Sequence, residues 1–324
     1  MSGPRRALVT AEFTDDGVRR LEALGYEVLR AGWGVTRQVL DRDDLLMAAA
    51  GCALLVTEIE VVDADVLAAL PELALVATAR GGPVNVDLAA CRIRGIPVVF
   101  TPARNADSVA DFVLGSLISL VRRIGSSERH LRDSGWEVDG ELPYLHFRGP
   151  ELSRLVLGVV GYGAIGQRVA QRARDGFGMR VLFHDPFFGG VTAAEGSIGL
   201  DELLSASDVV TLHCPRSPDT RGLLGAEAFA RMSRGSYVVN TAGGGLVDEP
   251  ALVEALRSGQ LAGAALDVFA TEPLPRDSPL LTAPNLLLTP HLAGAALDVV
   301  RHHTEMICDD VERWHRGEPL VNRA

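Results

Sequence analysis

The sequence predicts an α/β protein made of two doubly wound parallel sheets, and three observations carry that prediction. Short β-rich runs alternate with helical patterns from residue 7 to residue 100, a second such series runs from residue 155 to residue 289, and a glycine-rich turn at 161–166 joins a strand to a helix. Parallel strands need long crossover connections, so alternation of this kind implies sheets covered by helices on both faces.

In chain order, the first series places strands at 7–10, 26–29, 53–56, 73–77 and 97–100, with helices at 17–24, 42–50, 65–70 and 87–94. A long apolar helix follows at 108–124. Residues 125–150, punctuated by Gly135, Gly140, Pro143 and Gly149, read as an irregular connection. The second series places strands at 155–160, 179–184, 209–212, 236–240, 263–268 and 286–289. A last helix at 295–316 stops at Gly317. Because that helix follows the second sheet, it can pack back on the first unit. The expected organisation is a discontinuous domain of residues 1–103 and 293–324 around a central domain of 104–292. A ligand cleft is expected at the carboxyl ends of the strands.

Composition narrows the function. The net charge is −11 with no basic run, which disfavours nucleic acid and anionic membrane surfaces as partners. Cys52, Cys91, Cys214 and Cys308 lie far apart and form no Cys-x-x-Cys pair, so no zinc site or disulfide framework is indicated. They read as reduced thiols of a cytoplasmic protein. The most apolar run, 112–121, is too short for a bilayer, which takes about 20 residues, and no secretory leader is expected after Arg5 and Arg6.

The turn carries the chemistry. Gly161, Gly163 and Gly166 have the spacing in which the first permits a tight turn, the second admits a pyrophosphate against bare backbone, and the third lets helix and strand pack closely. Tyr162, Ala164 and Ile165 complete the turn, and the helix after it aims free amides at a phosphate. Asp185 ends the next strand about twenty residues on, where a dinucleotide fold needs a carboxylate for the ribose hydroxyls. A carboxylate repels a 2′-phosphate, and no Arg or Lys lies between Asp185 and Val209 to receive one, so NAD is expected rather than NADP. His291, at a strand end in Thr-Pro-His-Leu-Ala-Gly, is the candidate acid/base because imidazole titrates near neutral pH. Glu272 precedes it and would orient it and favour its cationic form. His302 and His303 are adjacent on one helix, hence on diverging faces, and His213 reads as structural. No metal is expected.

Together with this turn and Asp185, the stretches 212–221 (Leu-His-Cys-Pro-Arg-Ser-Pro-Asp-Thr-Arg), 238–242 (Val-Val-Asn-Thr-Ala), 264–269 (Ala-Ala-Leu-Asp-Val-Phe) and 289–294 (Thr-Pro-His-Leu-Ala-Gly) resemble the D-2-hydroxyacid dehydrogenases, a group that includes the D-3-phosphoglycerate, glycerate and D-lactate dehydrogenases. The resemblance covers nearly the whole chain. It implies a flavodoxin-like substrate domain, a Rossmann domain binding NAD, a homodimer, and a small 2-oxo or 2-hydroxy acid as substrate. It further implies His291 as acid/base with Glu272 as partner, and places Thr241, Ala242, Gly243, Asp267, Pro215, Thr220 and Gly294 at the cofactor. The loop Arg80-Gly81-Gly82 and Asn105 would face the substrate carboxylate.

One departure stands against the pattern. The family carries an arginine after Asn-Thr-Ala that clamps the substrate, and here that position is Gly243. A guanidinium holds a carboxylate through a planar fork that glycine cannot imitate. Three accounts remain open at this point: Arg80 or Arg104 replaces it; the amides of Gly243, Gly244 and Gly245 accept a phosphate or phosphonate substrate; or the protein binds NAD in a regulatory role with impaired turnover.

Overall fold

The β-rich runs form strands in the computed structural model, which describes residues 5–188 and 197–324. The chain divides into two units, Met1–Asn105 with Ala295–Ala324, and Ala106–Gly294.

In the first unit, β1 (Arg5–Val9), β2 (Tyr26–Arg30), β3 (Cys52–Thr57), β4 (Leu75–Thr78) and β5 (Val98–Val99) form one parallel sheet in the order β2-β1-β3-β4-β5. This is the flavodoxin-like order. Its crossover helices start where the side chains dictate. Thr14, Asp41, Asp63 and Asp87 each accept a hydrogen bond from the backbone N–H three residues on, supplying a donor at the helix start with the partner it otherwise lacks.

The helix Leu297–His315 lies on this sheet, burying Ile307, Cys308 and Val311 against Ala7, Val9, Leu54 and Val56. Gly17, in helix Asp15–Ala23, permits the approach, because a Cβ there would lie 2.2 Å from Thr304 Cγ2. Arg20 then bridges Asp309 and Glu312, each at 2.7 Å, and Asp310 accepts from the backbone N–H groups of Val321 and Asn322, folding the last residues back toward β5.

In the second unit, β6 (Val156–Val160), β7 (Arg180–His184), β8 (Val209–Leu212), β9 (Ser236–Asn240), β10 (Leu261–Leu266) and β11 (Leu286–Leu288) pair in parallel in the order β11-β10-β9-β8-β6-β7. Ser197 adds a single parallel bridge outside β7, at Phe183, where a dinucleotide-binding sheet carries its third strand. The strand order reverses between β6 and β8, so the crevice for a ligand lies at their carboxyl ends.

Helix Ala106–Val121 buries Val109, Val113 and Leu117 with Val169, Ala170 and Ala173 of helix Ala164–Phe177, against Val159 and Val239 of the sheet. The connection expected to be irregular is in part helical. Arg123, at φ 51°, breaks the apolar helix, a new helix spans Ile124–Ser134, and a short one spans Pro143–His146. The residues that read as breakers are end signals here: Gly135, at φ 87°, stops one helix and Pro143 starts the other. This stretch also exposes Leu131, Trp136, Leu142 and Tyr144. No helix among the described residues is long and apolar enough to cross a membrane.

The close approach of the last helix at Gly17 yields a stability prediction. Gly17→Val overpacks that contact and should lower the unfolding free energy by about 1–3 kcal/mol in urea denaturation. Wild-type stability in this variant would show that the two helices do not depend on contact at Gly17.

Candidate active site

The glycines of the turn after β6 do different work. Gly161 sits at φ 91°, and a Cβ on it would lie 2.5 Å from Cys214 N and 2.6 Å from the carbonyl carbon of His213, so the chain leaving β8 crosses where only glycine fits. A Cβ on Gly166 would come within 2.1 Å of Gly161 O and 3.1 Å of Val159 Cγ1, which ties helix to strand. Gly163 is the opposite case, with nothing within 4 Å of the same position. It is also the N-cap of helix Ala164–Phe177 and supplies no capping side chain, so the first-turn amides of Ala164 and Ile165 are left for an anion such as a phosphate.

Asp185 closes this cradle from the end of β7. Its Oδ2 accepts from Tyr162 N–H at 2.7 Å and its Oδ1 from Phe187 N–H at 2.9 Å. The Tyr162 ring stacks on Phe183 at 3.8 Å with Phe188 edge-on at 5.1 Å, giving the turn an aromatic floor. Thr220 closes the loop beyond β8, donating to Pro215 O at 2.8 Å and accepting from Ser217 N–H at 2.8 Å. Among the described residues, Thr241 Oγ1 is buried without a partner, a hydroxyl left for a ligand to satisfy. Open cradle, anchored carboxylate and orphaned hydroxyl fit a dinucleotide. Residues 189–196, part of the stretch without Arg or Lys, lie outside the described residues. His213 Nε2 meets Thr211 Oγ1 at 2.9 Å, and burial pushes this histidine down to about 3, so it stays neutral.

His291 and Glu272 meet. His291 Nδ1 lies 2.9 Å from Glu272 Oε2, while Glu272 Oε1 accepts from Phe269 N–H at 3.0 Å. The bond with His291 holds the Glu272 carboxyl below the usual carboxylate range against partial burial, and Phe269 N–H adds to it. His291 has φ 56°, the left-handed region that side chains other than glycine rarely adopt. Asp267, buried at the end of β10, fixes it there. Its backbone O accepts from His291 N–H at 2.9 Å, its Oδ1 from Thr289 Oγ1 at 2.6 Å and Leu292 N–H at 2.7 Å, and its Oδ2 from Ala293 N–H at 2.8 Å. All four bonds bind the turn that carries His291 and leads to Gly294. Sequence reasoning passed over Thr289 and saw Asp267 only as a neighbour of the cofactor.

Asn240 shapes the loop after β9 in the same manner. Its Oδ1 accepts from Ala242 N–H at 3.0 Å and its Nδ2 donates to Gly243 O at 3.0 Å. Gly243 itself has room: a Cβ there would stand 3.5 Å from Arg216 Cβ and 3.9 Å from Leu246. Arg216, which sequence reasoning left without a role, thus runs beside the position where the family pattern has its arginine.

The other candidates belong to the first unit. Gly81 and Gly82 lie in a bend after β4 with nothing within 4 Å of a Cβ on either, and their amides have no partner among the described residues. The Arg80 guanidinium donates to Glu58 O at 3.3 Å. Arg104 is bound at 3.0 Å to Glu58 Oε1 and at 2.7 Å to His303 Nδ1. His303 Nε2 reaches Glu12 O at 2.6 Å, so the ring donates from Nε2 and accepts from Arg104 at Nδ1. Burial holds it neutral by lowering its basicity. His302 meets Arg104 O at 3.1 Å, and Asn105 is half-buried.

Comparison with known proteins shows what the chain as a whole is similar to. Residues 114–293 match the family model for the D-isomer specific 2-hydroxyacid dehydrogenase, NAD binding domain. YoaD of Bacillus subtilis (strain 168), named for the 2-hydroxyacid dehydrogenases, is 36% identical over 319 residues, covering 97% of this chain and 92% of YoaD. The D-3-phosphoglycerate dehydrogenase of Mycobacterium tuberculosis (strain ATCC 25618 / H37Rv) is 42% identical over 282 residues, covering 86% of this chain. The match spans only 52% of that enzyme's length. The crystal structure of the TT0316 protein from Thermus thermophilus superposes with a TM-score of 0.82 at 37% identity, covering 98% of this chain and 99% of that one.

The openness at Gly163 separates binding from folding. Gly163→Val places its side chain in empty space, so thermal unfolding should stay within about 1 kcal/mol of wild type. NADH binding, followed by fluorescence titration, should be lost. Undiminished NADH affinity in this variant would remove the turn from the cofactor site.

Proposed function

The chain belongs to the D-isomer specific 2-hydroxyacid dehydrogenase family, and from that premise we propose that it interconverts a D-2-hydroxy acid and its 2-oxo acid with NAD as the coenzyme. The observation that carries this reading is the 2.9 Å contact between His291 Nδ1 and Glu272, on a turn locked by Asp267. With Nδ1 engaged, Nε2 is the nitrogen left for substrate.

NAD, when bound, supplies or accepts the hydride at C2. The protein's own groups do the rest. In the reducing direction His291 donates its Nε2 proton to the oxygen as it gains charge, and in the oxidising direction it removes that proton from the hydroxyl. Glu272 stabilises the protonated imidazole and keeps the ring oriented. Asp185 holds the ribose hydroxyls and repels a 2′-phosphate, which favours NAD over NADP.

We read the functional form as a homodimer. Leu131, Trp136, Leu142 and Tyr144, all exposed within one short stretch after helix Ala106–Val121, support this, since exposed large apolar side chains of that density favour association.

His291→Gln should lower kcat for reduction of 2-oxo acids by roughly 10²–10⁴-fold with NADH binding retained. Wild-type turnover in that variant would rule out the acid/base role. The depressed Glu272 carboxyl is ionised above its own folded value, so its support of the protonated imidazole is present across neutral pH and fades only as the pH falls through that value. Glu272→Gln withdraws the charge, so the alkaline limb of the kcat/KM profile for reduction should move to lower pH. A superimposable profile would contradict this pairing. Sedimentation velocity should show a two-chain species, and Trp136→Glu with Tyr144→Glu should shift it toward single chains.

A further inference from the structure

The loop after β8 and the loop after β9 together enclose an open pocket of about 660 Å³, lined by Arg216, Ser217, Arg221, Gly244, Gly245 and Ala270. Among the described residues no acidic side chain lines it. Neither the Arg216 nor the Arg221 guanidinium makes an ion pair among the described residues, so both are left to meet an anion in the pocket.

The two loops are built, not loose. Gly222 N–H donates to Gly245 O at 2.8 Å and Leu224 N–H to Leu246 O at 3.0 Å, which fastens one loop along the other. Ser217 and Thr220 lock the arginine-bearing loop between the two cations. Gly244 packs so closely that a Cβ on it would lie 1.7 Å from Phe269 O, and Ala270 N–H is held by Glu249 at 2.7 Å. Phe269 N–H is the second partner of Glu272. The pocket wall is therefore continuous with the segment that positions His291. The Arg216 stem follows the glycine loop, its Cβ 3.5 Å from a Cβ on Gly243 and its Cδ 3.9 Å from a Cβ on Gly245. A longer side chain at 243 or 245 would compete with it for this space.

We propose that Arg216 and Arg221, over the Gly243–Gly244–Gly245 loop, form an oxyanion subsite for the substrate, supplying the positive charge that position 243 lacks. That the occupant is substrate rests on the dehydrogenase reading. The chemistry is that of a carboxylate or phosphate oxygen pair between two guanidinium forks. One ligand group with these oxygens is the C1 carboxylate of the 2-oxo acid, and another is a phosphate carried farther along it.

The test uses the full chain and does not require turnover. Oxalate, which mimics the C1 carboxylate, and inorganic phosphate are titrated separately by calorimetry into wild type, Arg216→Ala, Arg216→Lys, Arg221→Ala and Arg80→Ala, with and without saturating NADH. Wild type should bind at least one anion. Arg216→Ala should weaken that binding roughly 10- to 150-fold, the range for losing one or so charged hydrogen bonds. Arg216→Lys should restore part of it, and Arg221→Ala should weaken it as well. Preference for oxalate identifies the C1 carboxylate and preference for phosphate a distal group, and either supports the subsite. No heat from either anion, equal affinity in wild type and Arg216→Ala, or a loss in Arg80→Ala alone would overturn it. So would weakened NADH binding in Arg216→Ala with anion binding unchanged, which would assign Arg216 to the coenzyme. Because these readouts are equilibrium binding, a wild type that binds oxalate but reduces no 2-oxo acid would refute the dehydrogenase reading and leave the subsite standing.

Discussion

The carboxylate of Asp267 is the constraint on which the second unit's chemistry depends. It sits buried at the end of a strand, and three groups of one turn converge on it: the Thr289 hydroxyl and the N–H groups of Leu292 and Ala293. Charge-assisted bonds in a buried setting are among the stronger ones a protein can make. Their effect is to hold His291 in a backbone conformation it would not choose, which aims one ring nitrogen at Glu272. Local strain at a reactive residue persists only when the surroundings over-determine it, and here four hydrogen bonds to one aspartate do so.

A parallel logic governs the glycine-rich turn. Two of its glycines are forced by contact, one against the chain leaving β8 and one against the turn's own carbonyl, whereas Gly163 is bare for the sake of something outside the protein. The packing glycines fix the opening's shape and the third keeps it open. Asn240 does the same for the loop after β9, using a side-chain amide where the first turn uses the absence of side chains.

Most of the fold was legible in the sequence because its determinants are local. Strands buried on both faces read as short apolar runs, helices begin at Thr14, Asp41, Asp63 and Asp87, and the α/β class follows from their alternation. Where two signals share one residue type, reading failed: Gly135 and Pro143 mark loops and helix ends alike, so the helix Ile124–Ser134 was hidden. The proximity of His291 and Glu272 was readable from residue chemistry and order. What was not readable is anything set by side-chain direction across distant loops. Arg216 lies far from Gly243 in sequence and looks like any solvated arginine until the two Cβ positions are seen side by side. Nor does a sequence show that the Arg104 guanidinium is already bound by Glu58 and His303.

The interruption of the first unit by the second has a consequence for how the polypeptide is made. Its five strands emerge from the ribosome early, but the helix Leu297–His315 that covers Ala7, Val9, Leu54 and Val56 emerges only after all of Ala106–Gly294 has been synthesised. Domains fold as units, and uncovered apolar surface is the usual origin of misassembly during synthesis. The nascent chain therefore leaves exposed the part of that sheet face not covered by Leu21 and its helix, until Leu297–His315 has been made, and the unit made second is the one able to finish folding first.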